Sequence, residues 1–140
     1  MPDLRVEAID HLVLNVDDID VSFEWYSNVL GMHGKKIISG KSGVRKNLLF
    51  FGNQKINLRQ KDISQKDWFT ARRPLEGTAD LCFLVSLSAD DVVKHLTHHN
   101  VKIECGPVIK EGARGKISSV YCRDPDGNLI ELSSYKEEIP

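Results

Sequence analysis

The chain has 140 residues, of which 41% are hydrophobic, and its 19 Lys and Arg side chains nearly balance 20 Asp and Glu side chains. This length predicts one domain, residues 1–140, with its own core. A formal net charge of −1 gives no electrostatic basis for binding nucleic acid or an acidic membrane, so a small molecule is the expected partner. The three cysteines form no CxxC pair, and neither a signal peptide nor a membrane span is evident. We therefore expect a soluble, cytoplasmic protein.

The first predicted module runs from about residue 7 to residue 60. Its β-branched residues predict a strand over Ile9–Val16, and a helix follows. The N-cap of this helix is expected at Asp17 or Asp20, and Gly31 is placed to end it. Three further apolar runs are separated by Gly- and Asn-containing turns and predict strands: GKKII, KNLLFFG and QKINLRQ.

A connection from Gln60 to Gly77 has no clear periodicity, and we expect a surface crossover. The pattern then starts again in a second module, from about residue 78 to residue 136. A strand over Ala79–Leu87 precedes a helix that begins after Ser88, which opens a capping-box sequence, and ends near His99. Closing strands are predicted in VKIEC, ISSVYC and NLIELSSY.

The two modules repeat one β-α-β-β-β order, so their equivalent positions are expected to come together. Matching HLVLNV with DLCFLV aligns His11 with Asp80, and matching KINL with LIEL aligns Asn57 with Glu131. Because side chains alternate along a strand, these four residues fall on the sheet faces opposite the helices. The sequence therefore predicts an α+β fold of two βαβββ modules with pseudo-twofold symmetry, whose curved mixed sheets form a cup with helices outside.

His11, Asn57, Asp80 and Glu131 together have the chemistry of a divalent metal site. Imidazole nitrogen suits first-row metals, and two carboxylates with an amide carbonyl extend the choice to harder ions. A metal there would polarise a substrate carbonyl, and Glu131 could serve as ligand, as general base, or as both in turn. The alternative is structural: His11 bonds within the sheet, Asn57 is solvated, and both carboxylates pair with basic neighbours.

Two arginines are candidates for binding an anionic substrate group. Arg59 lies two residues beyond Asn57 on the same predicted face, where its planar guanidinium could hold an anion. Arg114 lies in a glycine-rich basic loop from Lys110 to Lys116, for which an ordinary turn between strands is the alternative. Three histidines of the second helix are interpreted as solvated surface: His95, His98 and His99.

The stretches IDHLVLNVDD, WYSNVLGM, GTADLCFLVS and RDPDGNLIEL are spread over essentially the whole chain. Together they resemble the vicinal oxygen chelate superfamily of glyoxalases, bleomycin-resistance proteins and extradiol dioxygenases, and DPDGNLIEL is the most specific of the motifs. FFGNQKINLRQ and GPVIKEGARGKISSVYCRDPDGNLIE are similar to a small group that includes glyoxalase domain-containing protein 5 and bacterial virulence-associated relatives. The resemblance implies paired βαβββ modules whose sheets form a metal-binding cup.

By position, His11 and Glu131 match the first-strand histidine ligand and the final-strand glutamate ligand of the family. Asp80 stands where many members carry a second histidine, and Asn57 stands where glyoxalase I enzymes carry a second glutamate. The departure at Asp80 counts against the two-histidine iron site that ring-cleaving dioxygenases need. The predicted metal ligands for Mn, Ni, Co, Zn or Fe are therefore His11, Asp80 and Glu131, and the predicted substrate-binding residues are Asn57, Arg59 and Arg114.

The preferred hypothesis for function is a metal-dependent lyase or isomerase of the glyoxalase type, with Glu131 as the catalytic residue. By the resemblance, Glu131 would move a proton between adjacent carbons through a metal-bound enediolate. One alternative is a non-catalytic protein that sequesters a small molecule, as drug-resistance members do, and a third is an extradiol-type dioxygenase. The family often builds its cups across a dimer, so the resemblance also implies a homodimer in which a site could combine residues from two chains.

Overall fold

A computed structural model describes residues 2–135. They form two compact units, one up to Pro74 and one from Leu75, so the division lies inside the predicted connection from Gln60 to Gly77. Each unit runs in the order strand, helix, strand, strand, strand, which confirms the predicted pair of βαβββ modules. Over the described range, neither helix is long and apolar enough to cross a lipid bilayer.

The N-terminal unit holds one mixed sheet and one helix. Its strands lie in the order β1-β4-β3-β2, with β1 parallel to β4 and the other neighbours antiparallel. The elements are β1 (His11–Val16), α1 (Ile19–Val29), β2 (His33–Ile38), β3 (Arg45–Phe51) and β4 (Gln54–Gln60).

The helix α1 packs on one face of this sheet, against β3 and β4. Leu14 and Val16 of β1 and Ile56 and Leu58 of β4 point to that face and are almost completely buried, as is Tyr26 of α1. Each large apolar side chain stabilises the fold by about 1.5–3 kcal/mol when buried. A one-residue slip of either strand would expose this set, so burial fixes the register and sends the alternate residues to the other face.

Asp18 caps α1. Its backbone is extended, with φ −142°, and its carboxylate accepts hydrogen bonds from the N–H groups of Asp20 and Val21. The prediction of a cap at Asp17 or Asp20 was wrong, because Asp20 already lies inside the first turn and Asp17 precedes the residue with cap geometry. Gly31, with φ +68°, follows the helix end as predicted.

The C-terminal unit repeats this plan. Its strands lie in the order β5-β8-β7-β6, with β5 parallel to β8, and α2 packs on β6, β7 and β8. Ser88 caps α2 by accepting a hydrogen bond from the N–H of Asp91 at 3.2 Å, as predicted. The elements are β5 (Asp80–Leu84), α2 (Ala89–His98), β6 (Cys105–Gly112), β7 (Gly115–Arg123) and β8 (Leu129–Ser134).

The prediction of a strand over VKIEC was wrong. The N–H of Val101 donates to the carbonyl of Leu96 and so closes the end of α2, and the next residues approach β7 without entering the ladder until Cys105. Strand β6 then continues to Gly112, which turns most of the predicted Lys110–Lys116 loop into a β-hairpin with Arg114 at its tip.

Candidate functional site

Glu131 borders an open cleft of about 490 Å³ in the C-terminal unit. The residue lies on β8, on the sheet face opposite α2, because its neighbours Ile130 and Leu132 are buried in the core. Strand pairing places Cys82 of β5 and Tyr121 of β7 on either side of Glu131. The cleft therefore combines a carboxylate with a thiol and a phenol.

Two buried serine hydroxyls orient the Glu131 carboxylate. Ser119 Oγ donates to Glu131 Oε2 at 2.6 Å, and Ser133 Oγ lies 3.3 Å from the same oxygen. The two hydroxyls are 2.7 Å apart, and the Cys82 thiol donates to Ser133 Oγ at 3.3 Å. Hydrogen bonds to an ionised acceptor are the stronger kind, so this network restricts the carboxylate to one orientation.

The environment of Glu131 keeps its two neighbours protonated. Burial raises the pKa of the Cys82 thiol, the hydrogen bond with Ser133 lowers it, and the charges of Glu131 and Asp80 raise it further. Burial also raises the pKa of Tyr121 to about 12, together with a hydrogen bond to Glu131 and the same carboxylate charges. Near neutral pH the Tyr121 hydroxyl is therefore a donor to Glu131.

Asp80 begins β5 and is exposed, and its charge reaches both Cys82 and Tyr121. Across residues 2–135, neither Asp80 nor Glu131 forms an ion pair with a lysine or arginine. The structural alternative, in which both carboxylates pair with basic neighbours, thus receives no support from the described contacts. Lys110 of β6 also lines the cleft, with its ammonium group 6.0 Å from the Tyr121 ring centroid, so a lysine shares the cleft with Glu131 without forming an ion pair to it.

The DPDGN motif positions these strands. Asp124 Oδ1 accepts hydrogen bonds from the N–H groups of Asp126 and Asn128, both at 2.9 Å, and its Oδ2 accepts one from the Asn128 amide at 2.7 Å. The side-chain oxygen Oδ1 of Asn128 in turn accepts a hydrogen bond from the N–H of Ala79 at 2.8 Å. The turn between β7 and β8 is thereby tied to the residue that precedes Asp80, which fixes the start of β5 beside β8.

Arg114 lies at the edge of the cleft. Its guanidinium stacks on the ring of Tyr135 at 4.1 Å from the centroid, and the backbone N–H of Arg114 donates to the Tyr135 hydroxyl at 2.8 Å. Tyr135 also lines the cleft beside Glu131. The hairpin tip therefore brings the predicted Arg114 close to the lining of the cleft that holds Glu131.

His11 and Asn57 share the sheet face opposite α1 in the N-terminal unit, since the register pairs His11 with Lys55 and Val13 with Asn57. Asp10 Oδ2 lies 2.8 Å from His11 Nδ1, and the imidazole is 44% exposed. Asn57 Oδ1 is buried and has no hydrogen-bond partner within the described part of the chain. An unsatisfied buried acceptor costs about 1–3 kcal/mol, and a hydrogen-bond donor or a cation at this oxygen would remove that cost.

Arg59 is fully buried, and its guanidinium is used within the N-terminal unit. It donates to the carbonyls of Lys61, Ile63, Ser64 and Trp68 in the following connection and to the side chain of Asn15. Burial lowers the pKa of this guanidinium and the Asp62 carboxylate partly restores it. These contacts show Arg59 holding the connection in place, and they do not support its predicted contact with substrate.

No group of three or more His, Cys, Asp or Glu side chains is arranged to hold a metal ion over residues 2–135. The ligand set of His11, Asp80 and Glu131 thus stays a prediction. Sequence reasoning missed Ser119 and Ser133, whose hydroxyls contact Glu131. Their signal lies in the alternation of ISSVYC and LIELSS, which becomes visible once β7 is paired with β8.

Comparison with known proteins gives one consistent family. The model of the Glyoxalase/Bleomycin resistance protein/Dioxygenase superfamily matches residues 8–132. Virulence protein STM3117 of Salmonella typhimurium is 43% identical over 130 residues, which is 93% of this chain and 85% of that protein. Its crystal structure superposes with a TM-score of 0.83, covering 94% of this chain and 99% of that one.

Two further relatives cover nearly the whole chain. Glyoxalase domain-containing protein RDO1 of Mycosarcoma maydis is 42% identical over 96% of this chain and 72% of its own length. An integron cassette protein from the mobile metagenome of V. cholerae is 43% identical, with a TM-score of 0.84 and coverage of 95% of this chain and 98% of that chain. These similarities extend over both compact units.

Proposed function

Because the chain belongs to the Glyoxalase/Bleomycin resistance protein/Dioxygenase superfamily, we propose that it is a metal-dependent lyase or isomerase of the glyoxalase type. Its substrate is a small molecule with two adjacent oxygens, and Glu131 is the catalytic residue that moves a proton between neighbouring carbons. The observation that carries this proposal is the 2.6 Å hydrogen bond from Ser119, which orients the Glu131 carboxylate beside an open cleft.

The surroundings of Glu131 suit a general base. A base has to reach the proton that it removes and has to be held in a productive orientation. Ser119 and Ser133 hold one carboxylate oxygen, and the protonated Tyr121 hydroxyl donates to the same side chain. In the proposed reaction Glu131 accepts a proton from a carbon next to a carbonyl and returns it to the adjacent carbon.

The donor chemistry of the described residues fits a divalent metal. The contact of His11 Nδ1 with Asp10 leaves Nε2 as a nitrogen ligand, as in the carboxylate–histidine pairs of many metal sites. Asp80 and Glu131 supply carboxylate oxygens, and the Asn57 carbonyl oxygen is buried without a donor within residues 2–135. A bound Mn, Ni, Co, Zn or Fe ion would polarise the substrate oxygens and stabilise developing negative charge.

We propose His11, Asp80 and Glu131 as the metal ligands, contributed by one chain or by two chains of a homodimer. Asn57 and Arg114 are proposed to contact substrate. The Asn57 carbonyl would accept a hydrogen bond from a substrate hydroxyl, which would satisfy its buried oxygen. Arg114, stacked on Tyr135, would bind an anionic or carbonyl oxygen of the substrate at the edge of the cleft.

Metal content of the purified protein, measured by elemental mass spectrometry, tests the ligand set. We expect about one divalent ion per chain in the wild type and its loss in both His11→Ala and Glu131→Gln. His33→Ala is the matched control, because it removes an exposed imidazole from the first position of β2. Loss of metal from only one of the two ligand variants would contradict a single site that contains both residues.

Deuterium incorporation from heavy water into small α-hydroxycarbonyl compounds, followed by NMR, tests the reaction. We expect exchange by the wild type and none by Glu131→Gln. If the wild type takes up none of these metals on incubation and exchanges no proton while both ligand variants fold normally, the lyase proposal is overturned. A non-catalytic protein that binds a small molecule would then be the better description.

A further inference from the structure

The sheet face of the N-terminal unit that lies opposite α1 has an unusual distribution of charge. Strand pairing sets its side chains in rows across β2, β3, β4 and β1. The first row contains His33, Phe50, Lys55 and His11, and the second contains Lys35, Leu48, Asn57 and Val13. At the next level Lys46 pairs with Ile37, and Arg59 pairs with Asn15.

We call this surface the basic face and define it by Lys35, Lys46 and Lys55. None of the residues in these rows is Asp or Glu, although the whole chain has 20 acidic and 19 basic side chains. A face of one sign in a nearly neutral protein produces a local positive potential that attracts small anions.

The three lysines of the basic face have no acidic partner. Over residues 2–135 the ion pairs of the N-terminal unit engage other cations, and Lys35, Lys46 and Lys55 form none of them. Lys46 instead lies over the Trp68 ring at 4.7 Å from the centroid, a contact that does not neutralise its charge.

The basic face also has polar and apolar groups that could contact a ligand. The unsatisfied Asn57 Oδ1 lies in the second row, two residues along β4 from Lys55, and Leu48 beside it is only 7% exposed. A cavity of about 380 Å³ opens next to Phe50 and Lys55. Asp10 also borders this cavity, and its carboxylate is engaged by His11.

We propose that the basic face binds the anionic group, a carboxylate or a phosphate, of a small molecule that also carries a hydrogen-bond donor for Asn57. This inference deepens the proposed function, since the ligand would be its substrate, and names the substrate class as a small hydroxylated acid or phosphate ester. Lys46 and Lys55 bind the anion, and Lys35 adds to the potential at the outer strand.

Ligand-observed NMR of the purified full chain at constant ionic strength tests this proposal, with inorganic phosphate and acetate as separate probes. We expect saturable binding of at least one probe by the wild type. The double variant Lys46→Gln with Lys55→Gln should weaken it about tenfold or more, because hydrogen bonds to charged groups are the stronger kind and a tenfold loss is only about 1.4 kcal/mol. Binding of phosphate alone would identify a phosphate ester, and binding of acetate alone a carboxylic acid.

A matched control removes the same charge from elsewhere. Lys36→Gln with Lys66→Gln changes a lysine on the opposite face of β2 and an exposed lysine of the connection, and affinity should stay within about twofold. The fluorescence of Trp68 should change when the probe binds, and this change should be absent in Trp68→Phe. The absence of saturable binding, or an equal loss in the control, would overturn the proposal.

The two proposals fail separately. If probe binding is absent while proton exchange by the wild type is present, the basic face is wrong and the proposed reaction stands. If the probe binds but the wild type exchanges no proton, the anion site stands and the proposed reaction is wrong.

Discussion

Ser119 Oγ lies 2.6 Å from Glu131 Oε2, and the two side chains belong to the adjacent antiparallel strands β7 and β8. Ser119 is fully buried and pairs in register with Ser133, whose hydroxyl is 2.7 Å away. The carboxylate is therefore hydrogen-bonded to a pair of hydroxyls whose positions are fixed by the sheet. Its orientation is a property of the strand pairing, and single substitutions in β7 can test it.

Replacing Ser119 by Ala should slow proton exchange about ten- to a hundredfold, because a misplaced catalytic group costs rate of that order. The loss should appear in kcat while KM stays near the wild-type value, since the serine touches the base and not the substrate. Stability should fall by only about 1 kcal/mol, the usual contribution of one hydrogen bond. Deuterium incorporation followed by NMR measures the rate, and urea unfolding measures the stability.

Ser118→Ala is the control for this variant, because Ser118 is the preceding residue on β7, is also buried and points to the opposite face. Its exchange rate should match that of the wild type. An equal loss of rate in both variants would show that β7 tolerates no change and that Ser119 has no particular role in orienting Glu131.

The reactivity of Cys82 reports on the charge of Glu131. The pKa of Cys82 is raised by burial and by the Glu131 carboxylate, while the hydrogen bond with Ser133 lowers it. Alkylation by iodoacetamide proceeds through the thiolate, so it should be slow near neutral pH and accelerate as pH increases. Peptide mapping by mass spectrometry after timed labelling measures the rate at this residue.

Two substitutions should move the labelling of Cys82 in opposite directions. Glu131→Gln removes a negative charge, lowers the pKa of Cys82 and should speed its labelling at a fixed pH. Ser133→Ala removes the hydrogen bond that favours the thiolate, raises that pKa and should slow labelling. A change of the same sign in both variants would contradict this electrostatic description of the cleft.

Local patterns were enough to predict much of the fold. Alternation in HLVLNV and KINL, the helix end at Gly31 and the helix N-cap at Ser88 are local signals, and the structure confirms both modules. The hydroxyl network around Glu131 depends on which residue of β7 pairs with which residue of β8, so alternation within one strand does not reveal it. The partners of Arg59 were equally hidden, because they are backbone carbonyls of a connection without periodicity.

Arg59→Met should destabilise the N-terminal unit markedly. The substitution keeps an apolar stem but leaves the carbonyls of Ile63 and Trp68 without their buried donor. An unsatisfied buried acceptor costs about 1–3 kcal/mol, so two of them together should cost about 2–6 kcal/mol. Urea unfolding followed by circular dichroism should show a fall of this size in the free energy of unfolding.

Arg45→Met provides the comparison for Arg59→Met. Arg45 pairs with Asp20 at 2.6 Å, but both side chains are about half exposed, so the loss should be at most about 1 kcal/mol. If the two variants lost similar stability, the hydrogen bonds of Arg59 would not be what holds the connection. A large loss confined to Arg59→Met would support the structural role.

Gly106→Ala should destabilise the C-terminal unit by about 2 kcal/mol or more, for two reasons that act together. Gly106 has φ +108°, which residues with a side chain rarely adopt, and an added Cβ would lie 2.5 Å from the backbone oxygen of Ser119. The second contact would also push Ser119 away from Glu131, so proton exchange should fall even in the folded fraction. Urea unfolding and deuterium incorporation measure the two effects.

Gly40→Ala is the control, because an added Cβ at Gly40 meets no described atom within 4 Å. The stability of this variant should differ from that of the wild type by less than about 0.5 kcal/mol. A Gly106→Ala protein as stable and as active as the control would show that β7 has room to shift without disturbing the carboxylate.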